Sequence, residues 1–152
     1  MARPIPRVAV RALILQDNRL LLVNAYRRFR LSLWGAPGGG SDGGSSLPDN
    51  LIREVREETG LIVSVSPSVA LVNEFHDPDT GYHQVDVFFR CTIIDGELRP
   101  DWHDPQGIVS ERRFFAREEL ESGQIRFKPN LLPEIAWGTG TGAYDPLEVI
   151  LK

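Results

Sequence analysis

The chain opens on two apolar runs that are separated by polar turn residues. The runs occupy residues 8–15 and 20–23, and Asp17 and Asn18 lie between them. Both residue types tolerate the left-handed backbone that tight turns require. The pattern therefore predicts a β-hairpin at the start of the chain.

Further strands are expected in the second half of the chain. Residues 84–94 carry the strongest strand pattern, because apolar side chains at every second position would share one face. These apolar positions are Val85, Val87 and Phe89. Shorter patterns predict strands at residues 61–65, 69–75 and 112–115, one helical turn at 117–121, a second helix at 130–136, and coil at 138–142.

Residues 46–60 carry the start and stop signals of one central helix. Ser46 can cap its N-terminus and Gly60 can end it. Its expected buried stripe consists of Leu51, Ile52, Val55 and Thr59. Mostly strands with one central and one late helix indicate α/β or α+β layers around a mixed sheet. A length of 152 residues suits a single domain spanning residues 1–152.

The composition is that of an ordinary globular protein. Hydrophobic residues make up 41% and the net charge is −4, which argues against a protein that binds duplex DNA or an anionic membrane. Cys91 is the only cysteine, so no intrachain disulfide is expected and a reducing compartment is favoured. Arg11 interrupts the first apolar run, and no run reaches the roughly 20 residues of a membrane span. We expect a cytoplasmic protein.

Three glutamates of the central helix fall on one side of it. At about 100° per residue, Glu54, Glu57 and Glu58 occupy one sector, with Arg53 beside it and Arg56 pointing away. One interpretation is a solvated face with ion pairs. The other is a site for a divalent cation, because clustered carboxylates repel one another and hard oxygen ligands favour Mg²⁺ or Mn²⁺.

The segment before this helix is rich in glycine. Six of the ten residues 35–44 are glycine, which predicts a loop rather than a regular element. Its bare backbone could approach a metal or a phosphate, or it could be a flexible connection. Gly38, Gly40 and Gly43 match the spacing of a dinucleotide-binding loop, but the segment before them is no buried parallel strand and the helix does not open at the glycines.

Together these segments resemble the signature of the Nudix (MutT-like) hydrolase family. That signature is G-x5-E-x7-R-E-U-x-E-E-x-G-U, where U is a bulky apolar residue, and residues 39–61 match eight of its nine specified positions. The resemblance implies an αβα sandwich around a mixed β-sheet. One position departs, because Ser45 replaces the first glutamate. In the family that glutamate supports the loop and the signature arginine, and Asp42 is our candidate to replace it in this role.

The resemblance also implies a reaction and a set of roles. The family members are metal-dependent hydrolases of a nucleoside diphosphate linked to another moiety, in which water attacks phosphorus and Mg²⁺ or Mn²⁺ is the cofactor. Glu57 and Glu58 would hold the metal together with the Gly39 carbonyl. Glu54 would bind a second ion or take a proton from the water, and Arg53 would orient a glutamate.

Other candidates lie outside the signature. Glu111 is our candidate for a further metal ligand, with an exposed charge at a strand edge as the alternative. Arg27, Arg28 and Arg30 are candidates for gripping substrate phosphates, although a solvated basic segment explains them equally well. The expected partner is a nucleotide-like small molecule rather than a nucleic acid polymer or a membrane, and a homodimer is left open.

Two further hypotheses share the same fold. A catalytically degenerate Nudix domain would bind a nucleotide or a protein without turnover, which Ser45 motivates and the intact Glu54, Glu57 and Glu58 oppose. A diphosphate isomerase finds no positive support in the short chain and lone Cys91. The nucleotide derivative that serves as substrate is left open.

Overall fold

The computed structural model describes residues 5–24 and 33–149. The described residues form eight strands and three helices. The strands are β1 Arg7–Gln16, β2 Arg19–Asn24, β3 Trp34–Gly35, β4 Gly38–Gly40, β5 Ile62–His76, β6 His83–Asp95, β7 Glu111–Ala116 and β8 Ala143–Val149. The helices are α1 Leu47–Thr59, α2 Arg117–Glu121 and α3 Leu132–Trp137.

The predicted hairpin is present at the start of the chain. Strands β1 and β2 pair antiparallel, with Gln16 opposite Arg19. The two turn residues have left-handed backbones, with φ of 51° at Asp17 and 60° at Asn18. Such a two-residue turn matches the twist of the flanking strands, so the short polar link fixes the register of the hairpin.

The sheet is mixed, as the sequence predicts. Its main path runs β3-β2-β1-β6-β5-β8, with β4 paired to β1 and β7 paired to β2. The β1–β6 and β5–β8 pairs are parallel and the other pairs are antiparallel. The parallel β1–β6 pairing brings the first strand, which lies beside the glycine segment, against the long central strand.

Helices cover both faces of this sheet. Side chains of a strand alternate between its faces, and the apolar residues of β1 divide accordingly. Val10, Ala12 and Ile14 pack in the cluster that includes Leu51 and Val55 of α1. Leu13 packs on the opposite face, in a cluster that includes Leu120 of α2 and Leu132 and Ala136 of α3. The result is the expected αβα sandwich.

Helix α1 begins and ends where its sequence signals predict. The Ser46 hydroxyl accepts a hydrogen bond from the Asp49 amide at 3.1 Å. Gly60, with φ of 78°, ends the helix, and its amide donates to the Arg56 carbonyl at 2.8 Å. Of the predicted buried stripe, Leu51, Val55 and Thr59 are fully buried and Ile52 is partly exposed.

Three features of the fold differ from the sequence prediction. The predicted loop at residues 35–44 contains β4, because a backbone without side chains can pair closely with β1. The predicted segments 61–65 and 69–75 are one strand, β5, which stays paired through irregularities in register. Strand β8 follows the predicted coil and was not anticipated. Among the described residues no helix is long and apolar enough to cross a membrane.

Candidate active site

Strand β4 brings bare backbone against two neighbouring elements. A Cβ on Gly38 would lie 1.8 Å from the Val10 carbonyl oxygen, and φ of 154° also disfavours a side chain there. A Cβ on Gly39 would lie 2.6 Å from Oε2 of Glu54. The glycines therefore allow β4 to approach β1 on one side and a carboxylate of α1 on the other.

Glu54 and Glu58, one turn apart on α1, are both buried in this region. Their exposed fractions are 7% and 6%. The amide of Gly38 donates a hydrogen bond to Oε2 of Glu58 at 3.0 Å. Two carboxylates in one poorly hydrated place are unfavourable unless cations or hydrogen-bond donors compensate them.

The titration behaviour of the two carboxyl groups reflects this environment. Burial raises the pKa of Glu58 to about 8. This effect of burial is larger than the lowering effects of the Arg11 charge and of the hydrogen bond from the Gly38 amide. Burial also raises the pKa of Glu54, against the lowering effect of the Arg53 charge. The negative charges of Glu54 and Asp104 raise the pKa of Glu58 further. A cation bound between these groups would favour their ionised forms.

Arg53 connects the acidic residues of the helix to the loop that precedes it. Its Nη1 donates to Oε1 of Glu54 at 3.1 Å and to Oε1 of Glu57 at 3.3 Å. Its Nη2 donates to Oδ1 of Asn50 at 3.2 Å and lies 3.3 Å from Oδ2 of Asp42. Glu57 is partly exposed, so the three glutamates share one side of α1 but differ in depth.

Asn50 braces the loop, and sequence reasoning missed it. Its exposed fraction is 1%. Its Nδ2 donates to the carbonyl oxygens of Asp42, Ser45 and Ser46 at 3.0 to 3.3 Å, and its Oδ1 accepts from the Asp42 amide at 2.9 Å. A polar residue in the first turn of a helix is ordinary, so only its burial shows the function of this amide.

A later loop packs against the end of α1 and reaches the same cleft. Asp104, which is buried, accepts hydrogen bonds from the amides of Gln106, Ile108 and Val109 at 2.9 to 3.0 Å. Nε1 of Trp102 in this loop donates to the Glu57 carbonyl oxygen at 2.9 Å, and Nε of Arg112 at the start of β7 donates to the Glu58 carbonyl oxygen. The Asp-Pro-Gln-Gly turn sequence at residues 104–107 was the available signal for this loop.

These elements enclose a cleft whose donors suit a hard divalent cation. It is lined by Arg11, Gly38–Gly40, Arg53, Glu54, Glu58, Gln106 and Ile108, among others. Carboxylate and carbonyl oxygens are the ligands that Mg²⁺ and Mn²⁺ prefer, and the glycines leave room beside Glu54. Among the described residues, however, no three His, Cys, Asp or Glu side chains are already arranged as a ligand set. Backbone oxygens or water would complete any coordination shell.

The remaining predicted residues lie elsewhere. Glu111 is the first residue of β7, is exposed, and lines a separate depression with Trp34 and Arg112. This placement gives its predicted role as a metal ligand no support. Arg27, Arg28 and Arg30 fall outside the described residues, so their predicted contact with phosphate stays a prediction.

Arg11 links the cleft to the opposite side of β1. Its Nε donates to Oδ1 of Asp86 at 3.1 Å, and its Nη1 donates to the carbonyl oxygens of Ala36 and Gly38 at 3.4 and 3.5 Å. The sequence signal was a single arginine inside an apolar strand, which was interpreted only as an interruption. Its side chain is 13% exposed, so it is a partly buried charge, and it acts on the Glu58 carboxylate.

Comparisons with known proteins identify the family. The NUDIX domain model matches residues 5–137. An ADP-ribose pyrophosphatase from Methanocaldococcus jannaschii is 34% identical over 94 residues, which cover 62% of this chain and 55% of that protein. The matched stretches span only about half the length of the curated relatives, from 45% to 62%.

Solved structures agree with this result. A NUDIX hydrolase from Nitrosomonas europaea has a TM-score of 0.68 and 26% identity, with 86% of each chain covered. A MutT NUDIX hydrolase from Burkholderia pseudomallei has a TM-score of 0.63 and 27% identity, with 76% of this chain and 86% of that chain covered. The cleft between β4 and the acidic face of α1 thus lies in a known fold, and the chain belongs to the Nudix family.

Proposed function

We propose that this protein is a divalent-metal-dependent hydrolase of nucleoside diphosphate compounds, in which water attacks phosphorus. The observation that carries the proposal is the burial of Glu54 and Glu58 against the glycine backbone of β4. Two buried carboxylates destabilise the metal-free fold. A bound cation that also contacts a phosphate would compensate their charge. The similarity to an ADP-ribose pyrophosphatase supports the same class of reaction.

Glu54 and Glu58 are the side chains that fit Mg²⁺ or Mn²⁺ best, with Glu57 and the Gly39 carbonyl as further oxygen donors. When bound, such an ion neutralises phosphate oxygens and lowers the pKa of a bound water. It would also take up the mutual repulsion of the two buried carboxylates, which protein groups only partly offset.

The chain's own residues supply positioning and proton transfer. Arg53 fixes Glu54 through one direct hydrogen bond, and Asn50 fixes Arg53 from the other side. If Glu54 does not itself bind the metal, it is the side chain suited to accept a proton from the attacking water near neutral pH, because burial raises its pKa. Arg11, whose charge faces Glu58, gives the cleft a cationic side suited to phosphate.

The test is a hydrolysis screen with product identification. We expect Mg²⁺-dependent cleavage of at least one class among ADP-ribose, dinucleoside polyphosphates, nucleotide sugars and nucleoside triphosphates, with loss of activity in EDTA and in Glu58→Gln. Undiminished activity of metal-free protein in EDTA would contradict the metal requirement.

Binding without turnover is the second candidate, and the serine at position 45 is the observation that favours it. The structure weakens that argument, because Asn50 already contacts both the loop and Arg53. Tight nucleotide binding with no cleavage of any class in the same screen would establish this candidate instead.

A further inference from the structure

On the sheet face opposite α1, the core gives way to buried polar side chains. Leu13, Leu71 and Phe88 belong to the apolar cluster on this face. Farther along the same strands lie Arg11 of β1, Asn73 of β5, and Gln84 and Asp86 of β6, and the last three are buried. Buried polar groups that are not paired cost free energy, so their hydrogen bonds need to be accounted for.

Each of the donor-bearing side chains in this group makes at least one hydrogen bond within the protein, but two acceptor oxygens make none with the described residues. Oδ1 of Asp86 accepts from Nε of Arg11 at 3.1 Å and from Nε2 of Gln84 at 2.8 Å. Nδ2 of Asn73 donates to Oδ2 of Asp145 at 3.2 Å. Among the described residues, Oδ2 of Asp86 and Oδ1 of Asn73 accept no hydrogen bond, and neither is sealed from solvent. Both oxygens are therefore available to a ligand.

These two residues line a cavity whose walls are mostly apolar. Phe75 and Phe88 form part of its wall, and Leu33 and Pro129 enclose it. Lys128 and Glu148, paired at 2.6 Å, also line it. An apolar concave site with a few placed polar groups is typical of small-molecule pockets.

Arg11 joins this cavity to the acidic cleft, because it lines both. A molecule with its diphosphate beside Glu54 and Glu58 could therefore extend an attached group past Arg11 into the cavity. A second phosphate is a poor occupant, since the Asp86 carboxylate would repel it. Flat aromatic groups suit the phenylalanine walls.

We propose that this cavity binds the nucleobase of the substrate, and that Asp86 and Asn73 select a base edge carrying two neighbouring N–H donors. This inference rests on the proposed function. Asn73 and Asp86 are direct cross-strand partners in the β5–β6 pair, so their side chains lie side by side. Guanine presents two such donors, a ring N–H and an exocyclic amine. Adenine and uracil each place an acceptor beside a donor on that edge.

The discriminating experiment uses substrates that differ in one amine. The substrate is prepared with guanosine or with inosine as its nucleoside, and these two compounds differ only in the exocyclic amine. The same compound with ribose and no base is the reference. We expect wild-type kcat/KM to favour guanosine over inosine by about tenfold, because a site built for a hydrogen bond rejects the analogue that lacks it. Equal values for guanosine and inosine overturn the selection.

Variants then assign the effect to the cavity. Asn73→Leu should reduce the guanosine preference, mainly through KM, to about twofold or less. Ser64→Ala, at an exposed position earlier in β5, is the matched control and should keep it. If Asn73→Leu lowers kcat/KM equally for all three compounds, its effect is structural and the proposal fails. The comparison of ligands in wild type holds even if Asn73→Leu does not fold.

A binding measurement separates this inference from the proposed function. Calorimetric titration with guanosine and inosine monophosphates in EDTA requires no turnover. Selective binding of the guanosine compound, lost in Asn73→Leu, would support the cavity even if nothing were hydrolysed. Hydrolysis with no base preference, but with a loss on removing the ribose hydroxyls, would place the sugar at these oxygens and refute the base assignment.

Discussion

The Asn50 amide and the Arg53 guanidinium are in direct contact, with Nη2 of Arg53 donating to Oδ1 of Asn50 at 3.2 Å. Because Asn50 also binds three carbonyl groups of the preceding loop, one buried side chain ties that loop to the arginine that holds Glu54. This is the support that the Nudix resemblance assigns to the glutamate replaced by Ser45. The salt bridge from Arg53 to Asp42 contributes less, since the Asp42 side chain is 76% exposed.

Removing the Asn50 amide should therefore destabilise the fold and disturb the site. We expect Asn50→Ala to lower the free energy of unfolding by about 1–3 kcal/mol, because a buried side chain is truncated and three loop carbonyl groups lose their donor. Asp42→Asn is the exposed control and should cost less than about 1 kcal/mol. Denaturant unfolding of both variants measures the difference. Equal losses would show that the loop does not depend on Asn50.

Restoring glutamate at position 45 tests the same support from the other side. We expect Ser45→Glu to fold and to hydrolyse substrate at an equal or higher rate, and to recover part of the activity that Asn50→Ala loses. Steady-state kinetics of the single and double variants give the coupling between the positions. A folded Ser45→Glu protein without activity would mean that the site has been rebuilt around serine.

Gly39 should be required for activity more than for stability. An alanine Cβ would lie 2.6 Å from Oε2 of Glu54, so the carboxylate must move, and small displacements in a catalytic site are costly. We expect Gly39→Ala to reduce kcat/KM by about tenfold or more and the free energy of unfolding by about 1 kcal/mol. Gly43→Ala is the matched control, because its Cβ would meet no atom within 4 Å. Similar kinetics for the two variants would refute the role of this close approach.

The buried Glu58 predicts the pH dependence of stability in the metal-free protein. Burial raises its pKa from 4.5 to about 8, so between these values the folded state binds more protons than the unfolded state. The free energy of unfolding should then fall as pH rises through that window. Thermal unfolding in EDTA at several pH values should show this slope, and Glu58→Gln should reduce it. An identical slope in the variant would assign the effect to other groups.

The sequence predicted the hairpin, helix α1 and the mixed sheet because each has a local cause. Asp17 and Asn18 fit the turn, and Ser46 and Gly60 cap the helix regardless of what packs against them. Strand β8 could not be predicted in this way, because its side chains are largely exposed and its pairing with β5 is decided by tertiary contacts.

The candidate site also contains residues that are recognisable from local sequence and residues whose role depends on tertiary contacts. Arg53, Glu54 and Glu58 belong to a signature with fixed spacing, so they could be named from sequence. Asn50 and Asp86 are ordinary polar residues until the fold buries them. For Asp86 this burial depends on distant parts of the chain, because the pairing of β6 with β1 places Arg11 beside it.

The assignment of the metal site is tested most directly by two substitutions on one helix. Glu58→Gln keeps the size of the side chain and removes its charge, whereas Arg56→Gln changes an exposed charge on the other side of α1. We expect turnover in Mg²⁺ to fall by about a hundredfold or more in Glu58→Gln and by only a few-fold in Arg56→Gln.

Without metal at pH 9, Glu58→Gln should be at least as stable as wild type, because a buried negative charge has been removed. Mg²⁺ should raise the melting temperature of wild type and of Arg56→Gln, since a ligand that binds the folded state stabilises it, and should raise that of Glu58→Gln much less. A solvated ion-pair face predicts instead small and equal effects of both substitutions on turnover and on the Mg²⁺ response, and that result would rule out the metal site.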